Sequence, residues 1–337
     1  MNRYFYMGVD ASEWDACTVA KEAKTLLNNG LFDAGYRTIL LGENFEEKTD
    51  VMNELVKEIF ESGITVNANG LTEEKLAAVR RVPSLKVVRI VGSDDVDTLK
   101  KAAEAIKAVN GRAMTEVQAT KDNAEEVAKF ADIVYYAPRT DIPVDYFAVA
   151  RHQIDSCYDE DTLLEHSDSV IRANLAKGGK RYAIMPLPQK FNFFKNQSLY
   201  FVWVVLGVPI VLGTKPSELE ARTVELLKDE EIIAYASADG EMGKVVYYYS
   251  PWHALFGRDF GTKQLMLCLN RCHGDSPMNI LPDRDFANKK PDPFSVYDLY
   301  EKKTLAYRAG HFEIYVETSD HPLNPNARLL LIDEAKC

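Results

Sequence analysis

The chain is poor in cysteine: five in 337 residues, Cys17, Cys157, Cys268, Cys272 and Cys337, odd in number and scattered. That pattern excludes a disulfide framework. Cys268, Cys272 and His273 sit close together, but no fourth ligand stands at zinc spacing. They read as ordinary thiols of a strand, QLMLCLNRC, and no metal or other cofactor is expected. Positive charge is also scarce, with 40 Lys and Arg against 51 Asp and Glu, a net charge of −11 and a pI near 5.2. Nucleic-acid binding needs clustered Lys and Arg and is therefore excluded, and an anionic membrane surface is disfavoured. Long apolar runs are missing too. The most apolar stretch, LYFVWVVLGVPIVLG at 199–213, is shorter than a membrane span and carries Pro209. It predicts a buried helix running into a buried strand, with no membrane insertion. The opening MNRYFYMGVD turns polar within ten residues, unlike a secretory leader.

What is present is ordinary globular material, 46% hydrophobic and 27% charged. Short apolar runs alternate with helical patterns. YFYMGV precedes a helix with Val19, Ala23, Leu26 and Leu27 on one face; YRTILL precedes another over 50–63. GITVNA, KVVRIV, RAMTEVQ and DIVYYA continue the series, with Gly30, Gly63 and Gly111 placed to end helices. Strands and helices in such alternation require parallel strands joined by crossover helices. RYAIMP and PIVLG bring the strand count to eight, which predicts a closed (β/α)8 TIM barrel. The absence of a GxGxxG loop after the first strand argues against an open doubly wound sheet. From about residue 240, strand-like runs follow one another with Pro-, Asp- and Asn-rich turns between them. The expected organisation is an α/β barrel over 1–238 and an antiparallel β-sandwich over 239–337.

KVVRIVGSDD, at 86–95, looks like a strand delivering two acids to a site. Asp94 and Asp95 directly precede the helical pattern VDTLKKAAEAIKAV, where aspartate satisfies free N–H groups and meets the positive end of the dipole. Helix capping is the preferred reading, and a catalytic role for Asp94 the alternative.

MGVDASEWD followed by GLFDAGYRTILLGENF resembles the opening of glycoside hydrolase family 27, the retaining α-galactosidases and α-N-acetylgalactosaminidases. FVWVVLGVPIVLG, ELLKDEEIIAYASADGEMG and YDLYEKKTL are similar to later segments of that family, in the same order. The resemblance implies a barrel followed by a sandwich, and two catalytic carboxylates at strand ends about 5–5.5 Å apart. Carried over residue by residue, it places Val91 where the family has its nucleophile and Arg89 at the family lysine. The sugar-binding Asp pair of strand two becomes Gly42-Glu43, and strand one carries Val9-Asp10 in place of Trp-Asn. Asn69 falls near the strand-three tyrosine and Gln118 near the strand-five glutamate. PRTDIP keeps Arg139 and Asp141, the latter at the acid/base position. Strand seven, AIMPLPQKF, supplies no acid. Cys17 stands at a family half-cystine, but its usual partner is Asn44. The lost disulfide, with the missing leader, points to an intracellular compartment.

The resemblance therefore implies a non-catalytic, glycosidase-like protein. Its mouth, lined by Asp10, Glu43, Asn69, Arg89, Gln118 and Arg139, would bind a carbohydrate or a protein partner. An active glycosidase with a relocated carboxylate (Asp94, Glu43 or Asp10) is the alternative. A third reading is a structural block, a homodimer that uses the aromatic stretches VVYYYSPWHALF and KFNFF.

Overall fold

The computed structural model describes residues 5–120, 123–136, 182–183, 193–239, 243–250, 253–270, 276–280, 294–308, 312–316 and 326–334. Eight parallel strands form its first sheet: β1 (Met7–Asp10), β2 (Tyr36–Leu40), β3 (Glu61–Asn67), β4 (Leu85–Val91), β5 (Met114–Ala119), β6 (Ile133–Tyr136), β7 (Tyr182–Ala183) and β8 (Ile210–Leu212). Their order is β7-β6-β5-β4-β3-β2-β1-β8, so the first strand lies between the second and the last. Helices α1 (Ala16–Asn28), α2 (Thr49–Leu55), α3 (Glu73–Arg81), α4 (Val96–Val109) and α5 (Ala124–Phe130) separate the first six strands. Among the described residues, β7 and β8 are the two edges of this sheet.

The helix starts follow from local chemistry. Asp15, Thr72 and Asp95 each accept a backbone N–H three residues on, capping α1, α3 and α4. One expectation is corrected at α2. The helical pattern over 50–63 gives way after Leu55 to a 3-10 turn, and Ile59, at φ +66°, ends it. Gly63 then lies inside β3 rather than at a helix end. A Cβ there would sit 2.2 Å from the Leu40 side chain and 2.9 Å from Val87. Glycine is used for close strand approach, not for capping.

After Leu206 come β8 and two short helices, α7 (Ala221–Leu227) and α8 (Glu230–Ser237), preceded by the longer α6 (Phe193–Leu206). The remaining strands are antiparallel: β9 (Lys244–Ser250), β10 (His253–Phe260), β11 (Lys263–Asn270), β12 (Ser276–Ile280), β13 (Phe294–Asp298), β14 (Lys303–Arg308), β15 (Phe312–Val316) and β16 (Asn326–Glu334). Six pair in the order β14-β13-β16-β11-β10-β9, while β12 and β15 pair separately. Period-two alternation along β11 splits its apolar residues between two clusters. Leu265, Leu267 and Leu269 join the main core, whereas Met266 and Cys268 pack with Met278, Phe312, Ile314 and Val316 of the two-stranded sheet.

The main core runs without a break from the parallel sheet through α6 into β10, β11 and β16. This explains why the second half of α6 is apolar on every side. Phe201, Val202, Trp203, Val204, Val205 and Leu206 are all fully buried. The antiparallel sheet covers the face that a peripheral barrel helix would turn to water. Each such side chain contributes about 1.5–3 kcal/mol on burial. No helix among the described residues is long and apolar enough to cross a membrane. Arg258 of β10, 1% exposed, donates to the carbonyls of Tyr235, Ala236 and Ala238 at 2.9, 3.3 and 2.6 Å. A guanidinium at the C-terminal end of α8 meets the negative end of that helix. In the aromatic stretches proposed as surface, Leu255, Phe256 and Phe193 are core, at 0%, 1% and 4% exposure, and Val246 is half-buried.

Candidate functional site

Parallel strands send all their C-terminal ends to one edge of the sheet, and the predicted site residues of β1–β5 gather there. Alternation decides what each strand offers. On β4, Val88 and Ile90 are buried against the helices, leaving Val87, Arg89 and Val91 on the opposite face. Val87 belongs to a small apolar cluster with Tyr6, Leu40, Met114, Ile133 and Val211, contributed by five other strands or their approaches. This cluster is the floor of the face. Above it, Arg89 meets Glu116 of β5.

Glu116 is completely buried, and Arg89 keeps 13% side-chain exposure. The guanidinium donates from Nε and Nη2 to Glu116 Oε1 at 3.1 and 2.8 Å, and the Tyr6 hydroxyl donates to Oε2 at 2.9 Å. Both carboxylate oxygens are therefore engaged, as a buried charge requires. Sequence reasoning missed Glu116 and Tyr6. The signal was available in the alternation of Met114, Glu116 and Gln118 along one face of MTEVQA.

One residue pair further toward the edge, Val91 ends β4 opposite Asn67 of β3. Gly92, at φ +85°, makes the turn, and a Cβ there would lie 2.6 Å from the Asn67 side chain. Its N–H donates to Gln118 Oε1 at 3.1 Å, and its carbonyl accepts from Asn69 Nδ2. Asn67 Oδ1 in turn accepts the Asn69 N–H at 3.0 Å. Asn69 and Gln118 are thus brought together, stitched to each other through the glycine that follows Val91.

The remaining candidates are dispersed. Asp10 is 8% exposed at the end of β1, and its Oδ1 accepts the Ser12 N–H at 3.0 Å. Glu43 is exposed, and it is its backbone carbonyl that is held, by Lys75 at 2.9 Å. Asp95 caps α4, with Thr98 donating to Oδ2 from its backbone at 2.9 Å and its hydroxyl at 2.6 Å. Those Thr98 bonds hold its carboxyl below the usual value. Asp94 is exposed, and its carbonyl accepts from Asn123 at 3.0 Å. Arg139 and Asp141, together with Met185 of strand seven, lie outside the described residues.

Beside Asp10 stands a residue that the sequence did not single out. Lys48 is 1% exposed, yet its ammonium has three acceptors: Ala11 O at 3.1 Å, Ser12 O at 3.0 Å and Asn44 Oδ1 at 2.9 Å. Burial lowers its pKa, although Glu13, Glu47, Asp10 and Asp15 oppose the shift. It ties the loop after β1 to the loop after β2. Cys17 is a free, exposed thiol, so the two loops that the family resemblance would join by a disulfide are joined by an ammonium instead.

No known family profile matches the sequence, and no curated protein does. Solved structures do match. α-Galactosidase I from Mortierella vinacea superposes with a TM-score of 0.77 at 14% identity, over 99% of this chain and 98% of that one. An α-galactosidase from Saccharomyces cerevisiae gives 0.73 at 13% identity, over 99% and 98%. The family 27 β-L-arabinopyranosidase from Geobacillus stearothermophilus gives 0.71 at 11%, over 99% and 97%. The fold is that of the family 27 glycoside hydrolases, as the motif resemblance implied. At these identities the likeness is one of architecture, spanning the whole length of both chains.

Proposed function

We propose that this protein is a non-catalytic glycosidase-like protein whose strand-end face binds a carbohydrate or a protein partner. The observation that carries the reading is the chemistry around the end of β4. The terminal residue is Val91, the neighbouring groups are amides tied to one another through Gly92, and the interior acid Glu116 is neutralised by Arg89. Retaining hydrolysis needs a nucleophile and an acid/base about 5–5.5 Å apart. Valine cannot form a glycosyl ester, and a salt-bridged glutamate is a poor nucleophile. Amides, by contrast, donate to and accept from sugar hydroxyls.

The finer architecture belongs to the same proposal. The strand order is that of a ring opened between β7 and β8, which supports a closed (β/α)8 barrel. The apolar cluster between the six-stranded and two-stranded sheets supports a sandwich. A boundary at 238/239 falls between the end of α8 at Ser237 and the start of β9 at Lys244.

The test is hydrolysis of an aryl α-galactoside and an aryl β-L-arabinopyranoside, paired with calorimetric titration of the free sugars. The expected result is no turnover, with any sugar binding unchanged in Asp141→Asn. Turnover abolished by Asp141→Asn would overturn the reading. Turnover lost instead in Asp10→Asn would establish the relocated-carboxylate alternative.

A further inference from the structure

We infer that Asn69–Gly70 is a site of spontaneous backbone modification, at which the side-chain amide is lost and the strand-end face gains a carboxylate. The inference is independent of whether that face binds a ligand. The sequence contains three Asn-Gly steps, at Asn29, Asn69 and Asn110. An Asn-Gly step is chemically special because glycine has no Cβ to crowd its own amide nitrogen or to restrict φ and ψ. The Gly70 nitrogen attacks Asn69 Cγ, a C–N bond forms, and ammonia leaves carrying the displaced proton, giving a five-membered succinimide. Water then adds to either ring carbonyl and opens it to aspartate or isoaspartate. No oxidant, reductant or enzyme is needed.

The three steps are not equivalent in the structure. Asn29 is half-buried, and its Oδ1 accepts the Leu31 N–H at 3.1 Å. Asn110 is likewise half-buried, and its Oδ1 accepts from Arg112 and Ala113 at 3.2 and 3.3 Å. In both, the carbonyl that must rotate to receive the attack is pinned by backbone N–H groups. Asn69 is anchored through Nδ2 to Gly92 O instead, and both Asn69 and Gly70 are exposed. Water therefore reaches the departing ammonia and the ring that must open. They lie in a single 3-10 turn (Ala68–Gly70) rather than in a regular helix. A Cβ at Gly70 would meet only Asn67 Cβ, at 3.9 Å, so the turn is uncrowded.

The product has a consequence for the face. A carboxylate has no N–H to give the Gly92 carbonyl, so the stitch between the β3 and β4 ends opens and like-signed oxygens face each other. Isoaspartate also lengthens the backbone by one methylene at that turn. The face changes from neutral amides to an acid with time.

The experiment is peptide mapping by mass spectrometry of the full chain held in mildly alkaline buffer. The peptides containing Asn29, Asn69 and Asn110 are resolved, and isoaspartate is detected by its specific enzymatic methylation. The Asn69 peptide should gain the amide-to-acid mass difference first, mostly as isoaspartate. Asn69→Gln should abolish the gain, because ring closure would then need six members. Gly70→Ala should slow it by an order of magnitude while circular dichroism stays unchanged. Conversion of Asn29 or Asn110 ahead of Asn69, or equal rates at all three sites in the folded chain as in urea, would overturn the inference.

Discussion

Replacing Glu116 by leucine removes the acid while keeping a comparable volume, and leaves Arg89 and Tyr6 facing an apolar group. Breaking one side of a buried ion pair costs about 3–5 kcal/mol. Arg89 retains 13% exposure and regains some hydration, which places the loss at the lower end, about 3 kcal/mol. The Tyr6 hydroxyl, 4% exposed, loses its bond to Glu116 Oε2, which adds about 1 kcal/mol. The single variant should therefore lose about 4 kcal/mol, a large share of the ~5–15 kcal/mol typical of a folded protein. Arg89→Met added in the same background removes the charge that Glu116 balanced. It should return stability to within about 1 kcal/mol of the parent, because a packed apolar pair substitutes well for a buried ionic one. Urea unfolding followed by fluorescence reads both midpoints, with the slope checked for constancy. A loss below about 1 kcal/mol in the single variant, the value of a solvated surface pair, would refute the placement of this pair in a desolvated interior.

Lys48→Met should cost about 2–3 kcal/mol by removing the bonds its ammonium gives to the Ala11 and Ser12 carbonyls and to Asn44 Oδ1, the Ala11 carbonyl keeping only the Trp14 N–H. Hydrogen exchange should rise in the loop between β1 and α1 before it rises elsewhere; uniform exchange across the sheet would count against a local bracket. Acid sensitivity should run through Asp132. Burial works against its charge, but bonds from Lys107 and from the Thr115 N–H and hydroxyl hold its pKa below the usual value. A carboxyl whose folded pKa is lowered contributes stability fully above its unfolded value near ~4, and loses it as pH falls through the lower folded value. Asp132→Asn should therefore be less stable than the parent at neutral pH, with the gap closing only below about pH 4; a pH-independent gap would sink the assignment. A fragment ending at residue 238 should fail to give a cooperative transition, because the outer face of α6 packs on β10, β11 and β16. A sharp melt for that fragment would show that the antiparallel part is dispensable.

The order of strands was readable because each is a short apolar run flanked by helical period, and period alone separates the two. β10 and β12 were harder: Gly257 lies within the first and Pro277 within the second, residues that weaken a strand reading. The end of α2 was misplaced because nothing local marks Ile59 for a left-handed turn, a conformation that β-branched residues avoid. Of the site, Asn69, Gln118 and Val91 fall at one edge because the ends of β3, β5 and β4 fix their places. Glu116, Tyr6 and Lys48 were not seen, because their roles depend on partners 27, 110 and 37 positions away. No window on the sequence joins such pairs.

The position of β1 between β2 and β8 sets a schedule for making the protein. Its pairing with β2 is available once Leu40 has emerged, but its other edge waits for Ile210–Leu212. At ~5–20 residues per second, that is about 10–30 s of synthesis with an unpaired apolar edge. The contact of buried Glu22 with Ser217, at 2.9 and 2.7 Å, comes later still. β1 is made before the rest of its sheet and is among the last of it to be completed, so a ribosome-bound chain leaves this edge open to any passing strand until β8 emerges.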